Sequence, residues 1–427
     1  MDKIPTTKLQ RTKIVAKATL KIGIKKSKGF IARNSKEQTQ EEIGEVILQA
    51  LNELKGVSVK IAQTLVLGMP FLDASYLEKI SKTFDSITPI NRALIRKIIK
   101  QELGSYPEEI FEEFDLKAYA SASLGQVHIA KYKGKELAIK VQYPGISTSI
   151  DSDMTLIKFA LKRFSKGADI EHIVEELHDR LNEELDYMCE ANNAKKFLEA
   201  NRNSDIVIPK VIEELTTKKV LATEFLEGLS FKEFLASNPS QAKRDRYAQL
   251  IFDNFFDTLY KIKTIHADPN PGNFLFLKDG KLGIIDFGCT KEVDEEFLKS
   301  FNKLHLSLID GIDDLEIAKQ YMQLGMIDPA SDEEMLKFYK EIINPLDTIY
   351  IEIFKQDRYN FRDSNYAKRG FDAIFTVQKR EATSVQNYNR DYIFIDRTLL
   401  GYYAMFERMG ATIDTTYVKE LMGRHDK

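Results

Sequence analysis

Hydrophobic and polar positions follow two different periods along the chain, and the changes of period divide it. Apolar residues recur at helical spacing between residues 43 and 105, through IGEVILQALNELKGVSVKIAQTLVLG and INRALIRKIIKQELG. Between about residues 118 and 145 the period becomes that of strands, and VHIAKYKGKELAIKV predicts a hairpin that turns at Lys133-Gly134. Residues 150 to 200 return to helical spacing.

The second half of the chain opens with short apolar runs and then becomes helical. Residues 207–228 predict strands, with residues 224–227 as a connector. Residues 241–265 are helical in pattern, and FLFLKDGKLGIIDFG predicts a second hairpin with an Asp-Gly turn at 279–280. After about residue 293 the pattern is mostly helical. The order predicts a mixed region, a connector and a helical region.

Composition narrows the class of protein. The chain has 427 residues, of which 43 % are hydrophobic and 30 % are charged, as in globular proteins. Its net charge of −3 does not favour a nucleic-acid partner. Two cysteines without a CxxC spacing argue against a disulfide scaffold or a zinc site and favour a reducing, cytoplasmic compartment. The sequence contains no run of about 18 apolar residues, so no transmembrane helix is predicted.

Positive charge is concentrated at the start of the chain. Residues 1–36 contain 11 Lys or Arg residues and one acid, Asp2. A lysine recurs at every fourth position, with apolar residues beside it, in the set Lys13, Ile14, Lys17, Ala18, Lys21, Ile22 and Lys25. This basic amphipathic pattern predicts a helix on an anionic membrane surface, or a flexible arm, or a helix packed on the protein itself.

The segment HADPNPGNF, residues 266–274, is too rich in Pro and Gly for a helix or a central strand. It predicts a rigid turn that holds Asp268 and Asn273 five residues apart behind His266. This is the spacing of a phosphoryl-transfer loop, in which the Asp accepts the proton of the attacking hydroxyl and the Asn binds a metal ion. Asp286, in Asp-Phe-Gly after an apolar strand, predicts a second oxygen ligand for Mg²⁺.

A lysine for the phosphates is expected upstream of this turn. LAIKV places Lys140 among apolar residues on a strand, where a charge is costly unless it is paired. The segment EELDYMCEANNAKKF (183–197) predicts a helix that offers acidic partners. Asp186 and Glu190 lie four residues apart in it, so one helical face carries two acids and needs a nearby cation.

These motifs together resemble the UbiB-like (AarF-type) atypical kinase family over nearly the whole chain from about residue 45. YASASLGQVHIA (119–130) resembles the alanine-rich nucleotide loop of the family, with Ser121 in place of an alanine. GVSVKIAQ (56–63) resembles its K-x-G-Q motif, with Ala62 in place of the glycine. ELDYMCEA (184–191) resembles its E-x-D motif followed by the helix glutamate, and AIKVQYPG, TEFLEG and DRTLLGYYAMFERMGA also fit.

The resemblance implies an α+β, protein-kinase-like two-lobed fold, with an N-terminal helical extension packed over the active site. The implied division is a basic arm at 1–36, an extension at 43–105, an N-lobe at 106–226 and a C-lobe at 227–427. The extension would carry Lys60 and Gln63 over the cleft, where Lys60 would meet Glu184 or Asp186. Such a lid would exclude a protein substrate.

The resemblance also implies roles for site residues. Lys140 would form a salt bridge with Glu190, and these two residues and Asp268 would be catalytic. Asn273 and Asp286 would hold Mg²⁺, and Lys60, Gln63, Glu184 and Asp186 would form the lid. The nucleotide, ATP or ADP, would contact Ala120, Ser121, Ala122, Ser123, Gly125, Val127, Lys140, Glu224 and Leu226. The family is tied to membranes and to the biosynthesis of ubiquinone, other isoprenoid quinones and lipids, so a peripheral position on the inner face of a membrane and contacts with biosynthetic enzymes are implied.

Three functions remain open from the sequence. The first is an ATP-dependent enzyme, either an ATPase or a small-molecule kinase. The second is a nucleotide-gated scaffold with little turnover, and the third is a true protein kinase. The complete set of lysine, glutamate and metal-ligand residues favours an enzyme, because a scaffold does not need the metal ligands.

Overall fold

The computed structural model describes residues 13–14, 16–18, 20–21, 24, 91–121, 124–144, 154, 158, 178, 181–201, 203–370, 372–373 and 390–425. The chain forms two compact units. The first consists of Met1–Ala191 and Val211–Phe225, and the second consists of Asn192–Lys210 and Leu226–Lys427. The helices predicted between residues 43 and 90 lie outside the described residues, as do Lys60, Gln63, Ala122 and Ser123.

The helices in chain order are α1 (Arg92–Leu103), α2 (Pro107–Ile110), α3 (Tyr187–Ala200), α4 (Phe231–Ala236), α5 (Gln241–Ile262), α6 (Glu295–Asp310), α7 (Asp314–Gln323), α8 (Asp332–Phe338), α9 (Asn344–Glu352), α10 (Arg390–Met409) and α11 (Thr416–His425). The strands are β1 (Glu113–Phe114), β2 (Ala120–Ser121), β3 (Gly125–Tyr132), β4 (Lys135–Gln142), β5 (Ile206–Val207), β6 (Val220–Glu224), β7 (Gly228–Leu229), β8 (Thr264–His266), β9 (Phe274–Leu277), β10 (Leu282–Ile284), β11 (Thr290–Glu292), β12 (Arg358–Asn360) and β13 (Thr412–Asp414).

The first unit is built on an antiparallel sheet in the order β1-β3-β4-β6, with β2 paired to β3. The predicted hairpin is confirmed, because β3 and β4 pair along their whole length and turn at Lys133 and Gly134. Both turn residues have positive φ, 49° and 74°, which matches the right-handed twist of a two-residue hairpin. Lys140 pairs in register with Val127 on one side and with Leu221 on the other.

The core of the first unit lies between helix α1 and one face of this sheet. Ile95, Ile98 and Ile99 of α1 pack with apolar side chains of the sheet that include Ile139 and Val141. Successive side chains of a strand point to opposite faces, so Lys140 is directed away from this core. Asn91 begins α1 by accepting a hydrogen bond from the Ala93 N–H at 2.8 Å.

The second unit combines small sheets with long helices. One sheet has the order β5-β10-β9-β7, and the pairs β8–β11 and β12–β13 form two others. The hairpin β9–β10 confirms the predicted Asp-Gly turn, where Gly280 has a φ of +83°. Helix α5 is 22 residues long and buries ten of them. The helical pattern predicted after residue 293 is confirmed by α6 to α11.

The described residues of the basic arm are helical and have two faces. Ala18 is 4 % exposed and Ile14 and Lys21 are half-buried, whereas Lys13 and Lys17 are exposed. Leu20 and Ile24 are also exposed, at 69 % and 48 %. The exposed stripe therefore mixes lysines with apolar residues, and Lys21 does not belong to it as the four-residue spacing predicted. Among the described helices none has the length and hydrophobicity needed to cross a membrane.

Candidate functional site

Lys140 and Glu190 form the predicted ion pair in the first unit. Lys140 Nζ donates to both carboxylate oxygens of Glu190 at 2.8 Å, and its side chain is 16 % exposed while that of Glu190 is 4 % exposed. The ammonium also lies 5.2 Å from the centre of the Tyr187 ring. Two short hydrogen bonds to one buried carboxylate hold the ammonium of Lys140 in place.

Strands β2 and β3, on either side of the predicted nucleotide loop, pair antiparallel. Ala120 pairs with Val127, and Ser121 pairs with Gln126. Gly125 cannot be replaced by a larger residue without movement, because a β-carbon there would lie 2.5 Å from Val141 O and 2.6 Å from Tyr187 Oη. Val127 is half-buried opposite Lys140, so the loop and the lysine are neighbours in one sheet.

The turn that contains Asp268 is fixed by its own polar groups in the second unit. Asn273 Nδ2 donates to the carbonyl oxygen of Asp268 at 3.1 Å, and the Asn270 N–H donates to Asp268 Oδ1 at 3.2 Å. Asn273 is 6 % exposed, whereas Asp268 is half-buried. The two predicted residues are therefore brought together, with the amide group of Asn273 bridging the turn.

Asp286 follows strand β10 on a second ordered turn. The Gly288 N–H donates to Asp286 Oδ1 at 3.0 Å, and His266 Nε2 donates to the Asp286 carbonyl oxygen at 2.5 Å. The Ile285 N–H donates to the carbonyl oxygen of Asn273 at 3.0 Å, which joins the two turns. His266 thus supports the Asp286 turn through its ring.

The connector residues are divided between the units. Glu224 ends β6, pairs in register with Leu137, and its carboxylate accepts from Lys135 Nζ at 3.0 Å. Leu226 belongs to the second unit, where a β-carbon at Gly283 would lie 3.3 Å from Leu226 Cδ1. Their predicted contact with a nucleotide stays a prediction.

The prediction of one continuous helix through residues 183–197 is wrong. Residues 181–184 are helical, but the helix stops at Leu185 and α3 starts afresh at Tyr187. Asp186 lies at the break, where its carboxylate accepts from the Met188 N–H at 3.0 Å and lies 3.4 Å from Lys218 Nζ. An aspartate satisfies the first N–H groups of a helix better than it fits inside one. Asp186 and Glu190 consequently do not form a pair of like charges on one helical face.

Because of this break, Glu184 and Glu190 do not lie on one continuous helix. Glu184 is half-buried at the end of the preceding helical segment. Asp186 already has Lys218 as a cation, so it does not require Lys60. The contact of Lys60 with either acid lies outside the described residues and stays a prediction.

The oxygen atoms of Asn273 and Asp286 fit a magnesium ion. Asn273 donates from Nδ2 within the turn, so its amide oxygen is the atom that would bind an ion, and Asp286 would add a carboxylate. Within the described ranges no group of three or more His, Cys, Asp or Glu side chains is placed to hold a metal ion. Mg²⁺ needs few protein ligands when phosphate oxygens complete its coordination, so this pair is chemically suitable.

The sequence did not point to several residues that support these turns. Tyr402 Oη donates to the carbonyl oxygen of His266 at 3.1 Å, and Gly401 lies against Pro269. Asn193 Nδ2 donates to the carbonyl oxygen of Phe287 at 3.1 Å. Among these residues, Gly401 is the one that the sequence could have indicated, because a glycine within an apolar helix often marks a close approach of two elements.

A family model named the ABC1 atypical kinase-like domain matches residues 82–321. A probable serine/threonine-protein kinase, abkA, of Dictyostelium discoideum is 29 % identical over 397 residues, which cover 88 % of this chain and 69 % of that protein. A chloroplastic aarF domain-containing protein kinase of Arabidopsis thaliana is 33 % identical over 66 % of this chain and 41 % of its own length. The mitochondrial atypical kinase COQ8 of Schizosaccharomyces pombe is 26 % identical over 92 % of this chain and 63 % of its length.

A solved structure of Rv3197 from Mycobacterium tuberculosis, in complex with erythromycin, superposes with a TM-score of 0.64 at 25 % identity. The match covers 91 % of this chain and 98 % of the mycobacterial chain. The chain spans 41 % of the plant relative and 69 % of the slime-mould relative.

The mixed fold, together with the matches to kinases, defines a kinase-like protein of the atypical class. The family model covers more than half of the chain, and the chain belongs to the ABC1 atypical kinase-like family. At the general level, membership implies a phosphoryl-transfer enzyme that uses ATP with a metal ion.

Proposed function

We propose that this protein is a Mg²⁺-dependent ATPase or small-molecule kinase of the UbiB type. The observation that supports this most directly is the buried pair of Lys140 and Glu190, in which both carboxylate oxygens hold one ammonium at 2.8 Å. A lysine fixed in this way can bind phosphate oxygens without first losing conformational freedom.

Each group of site residues would contact a different part of the nucleotide. Backbone groups of the loop at 120–127 would face the phosphates, which Lys140 would neutralise in part. Glu224 and Leu226 would contact the base, while Asn273 and Asp286 would hold Mg²⁺. When bound, Mg²⁺ supplies positive charge that offsets the charge developing on the phosphate oxygens.

Asp268 would act on the attacking group, which is water or a substrate hydroxyl. Its carboxylate would accept the hydroxyl proton as the oxygen forms a bond to the terminal phosphorus. The bond from phosphorus to the bridging oxygen breaks, and its electron pair stays on that oxygen, which leaves as ADP. The products are ADP and either inorganic phosphate or a phosphorylated substrate.

We place this activity in isoprenoid quinone or lipid metabolism at a membrane surface on the basis of the family resemblance. Matches to relatives named COQ8 are in line with this assignment. The exposed stripe with Lys13, Lys17, Leu20 and Ile24 combines positive charge with apolar side chains, as binding to anionic lipid requires. The substrate that accepts the phosphoryl group would then be a hydrophobic small molecule.

The lid belongs to the same proposal. Lys60 and Gln63 would cover the site near Glu184 and keep protein substrates out. Replacement Lys60→Ala should alter the preference between ATP and ADP or allow self-phosphorylation. Unchanged affinities for both nucleotides, without any self-phosphorylation, would remove this role.

The test of the function compares Asp286→Asn with Asp310→Asn, an exposed aspartate at the end of α6. Phosphate release and nucleotide binding are measured with Mg²⁺ or with EDTA, in the presence and absence of anionic liposomes. We expect Asp286→Asn to lose the Mg²⁺-dependent part of both, because a neutral amide does not offset the charge of the ion. Equal turnover in the two variants would exclude the metal assignment, and binding without turnover in the wild type would favour a scaffold.

A further inference from the structure

The second half of helix α3 contacts the chain segment that follows Asp286. Lys196 Nζ donates to Glu292 Oε1 at 2.6 Å, and the Phe197 ring lies 5.2 Å from that of Phe287. Asn193 Nδ2 donates to the carbonyl oxygen of the same Phe287. The helix therefore contacts this segment at Phe287 and at Glu292, and Asn193 bonds to the backbone of the turn.

The two carbonyl groups of this turn are each held by a side chain. His266 Nε2 donates to the carbonyl oxygen of Asp286, and Asn193 Nδ2 donates to that of Phe287 at 3.1 Å. With successive carbonyls fixed, the Gly288 N–H points back to Asp286 Oδ1 at 3.0 Å. The direction of the Asp286 carboxylate thus depends on a backbone that Asn193 helps to hold.

We infer that Asn193 is a positioning residue that sets the direction of the Asp286 carboxylate for the metal ion. This inference rests on the proposed function for the metal ion, but the contact with the Phe287 carbonyl oxygen does not. Asn193 is half-buried and Phe287 is 2 % exposed, so water cannot easily replace the lost donor at that carbonyl. One helical turn earlier, α3 carries Glu190, the partner of Lys140.

The chain supplies a matched control for this residue. Asn192 is the preceding residue of the same type on the same helix, and it is exposed. Asn192→Ala therefore reproduces the change in helix propensity and amide loss without touching Phe287. Asn193→Gln keeps an amide donor and serves as the conservative variant.

The first measurement is hydrogen exchange of the Gly288 amide in the protein without ligand. Asn193→Ala should exchange this amide faster than the wild type, while Asn192→Ala should not. The second is the affinity for a fluorescent ADP analogue with Mg²⁺ and with EDTA. A neutral hydrogen bond contributes about 0.5–1.5 kcal/mol, so the affinity in Mg²⁺ should fall about 2- to 10-fold in Asn193→Ala while that in EDTA stays the same. Asn193→Gln should recover part of the Mg²⁺-dependent affinity.

Different failures have different meanings. If the wild type shows no gain in affinity from Mg²⁺, the proposed function is at fault, and the exchange of Gly288 still tests the contact. If the wild type gains affinity and Asn193→Ala gains as much, with Gly288 equally protected, the positioning role is wrong. A fall in both affinities alongside a lower melting temperature would show a role in stability only and would also overturn the inference.

Discussion

Gly401 packs against Pro269 so closely that a β-carbon at position 401 would lie 2.3 Å from Pro269 Cγ. A second carbon of the ring, Pro269 Cβ, would be 2.6 Å away. Pro269 directly follows Asp268, and the neighbouring Tyr402 Oη donates to the His266 carbonyl oxygen at 3.1 Å. Helix α10 therefore supports the turn of Asp268 through a close contact of Gly401 and a hydrogen bond of Tyr402.

The first prediction concerns Gly401→Ala. The added methyl group cannot fit beside a rigid proline ring, so the turn or the helix must move, at a cost of about 1–3 kcal/mol in stability. Turnover should fall further than stability explains, because Asp268 moves with the turn. Gly423→Ala, in helix α11 with nothing within 4 Å of the added carbon, should be neutral or slightly stabilising. Chemical denaturation and phosphate release in both variants provide the check, and normal turnover in Gly401→Ala would contradict the role of α10.

The second prediction separates the contribution of the Lys140–Glu190 pair to stability from its contribution to nucleotide binding. Lys140→Ala leaves the carboxylate of Glu190 buried without its ammonium, so stability should fall by about 3 kcal/mol and nucleotide affinity should also fall. In Lys140→Met combined with Glu190→Gln no charge remains, and we expect stability to return while the affinity stays low.

Lys131→Ala on β3 is the control, because that lysine is 45 % exposed and its nearest acid is 3.8 Å away. Denaturation curves and nucleotide titrations of the single variant, the double variant and the control, each compared with the wild type, test this prediction. Recovery of affinity in the double variant would show that Lys140 is needed only for folding.

The third prediction concerns pH and the buried carboxyl group of Asp347 on α9. Burial raises the pKa of Asp347 from 3.8 to about 7, although a hydrogen bond from Tyr321 opposes the rise. Between these two values the unfolded chain loses its proton while the folded protein keeps it, so stability falls as pH rises from about 4 to 7. A shift of this size corresponds to about 4 kcal/mol.

Asp347→Asn should abolish this fall, because an amide does not titrate. The free energy of unfolding, measured at pH 5 and pH 8, should therefore differ less in the variant than in the wild type. Asp310→Asn, which changes an exposed carboxyl group, should keep the pH dependence of the wild type. The same slope in Asp347→Asn and the wild type would show that this carboxyl group is ionised in the folded protein throughout.

The fourth prediction concerns the basic arm. Deletion of residues 1–36 should release the protein from anionic liposomes, and binding of the whole chain should weaken as salt rises. Each exposed lysine near such a surface contributes about 1 kcal/mol, so Lys13→Gln with Lys17→Gln should weaken binding measurably. Lys278→Gln is the control, because its side chain is 82 % exposed far along the sequence from the arm. Unchanged co-sedimentation after the deletion would assign the membrane contact to another surface.

Local patterns sufficed to predict the hairpins and the need of Lys140 for an acidic partner, and the family resemblance implied that this partner is Glu190. The turns at Lys133-Gly134 and Asp279-Gly280 each contain a glycine, which adopts positive φ readily, and the alternation of LAIKV directs one charged side chain away from the apolar core. A buried lysine needs an acid, and α3 supplies one. The hairpins were predictable because they depend on neighbours in sequence, whereas the contact of Lys140 with Glu190, 50 residues away, needed the family resemblance as well.

The helix break at Asp186 and the contacts that support the turns of Asp268 and Asp286 could not be predicted in the same way. Helical periodicity runs through residues 183–197 with no Pro or Gly to interrupt it, and the end at Leu185 depends on the capping role of Asp186. Tyr402 is 136 residues from His266, and Asn193 is 94 residues from Phe287. Contacts between residues so distant in sequence follow from tertiary packing, which a single sequence does not encode locally.

The bidentate contact of Lys140 with Glu190 has a consequence for the evolution of this chain. Replacement of either residue alone leaves a buried charge that has lost this partner, and selection would act against that intermediate even where nucleotide binding was dispensable. A lineage that abandons catalysis should therefore lose both residues together, or replace them through a neutral pair of similar volume. Descendants that retain one residue of the pair without the other should be rare, and those that exist should have a new counter-ion nearby.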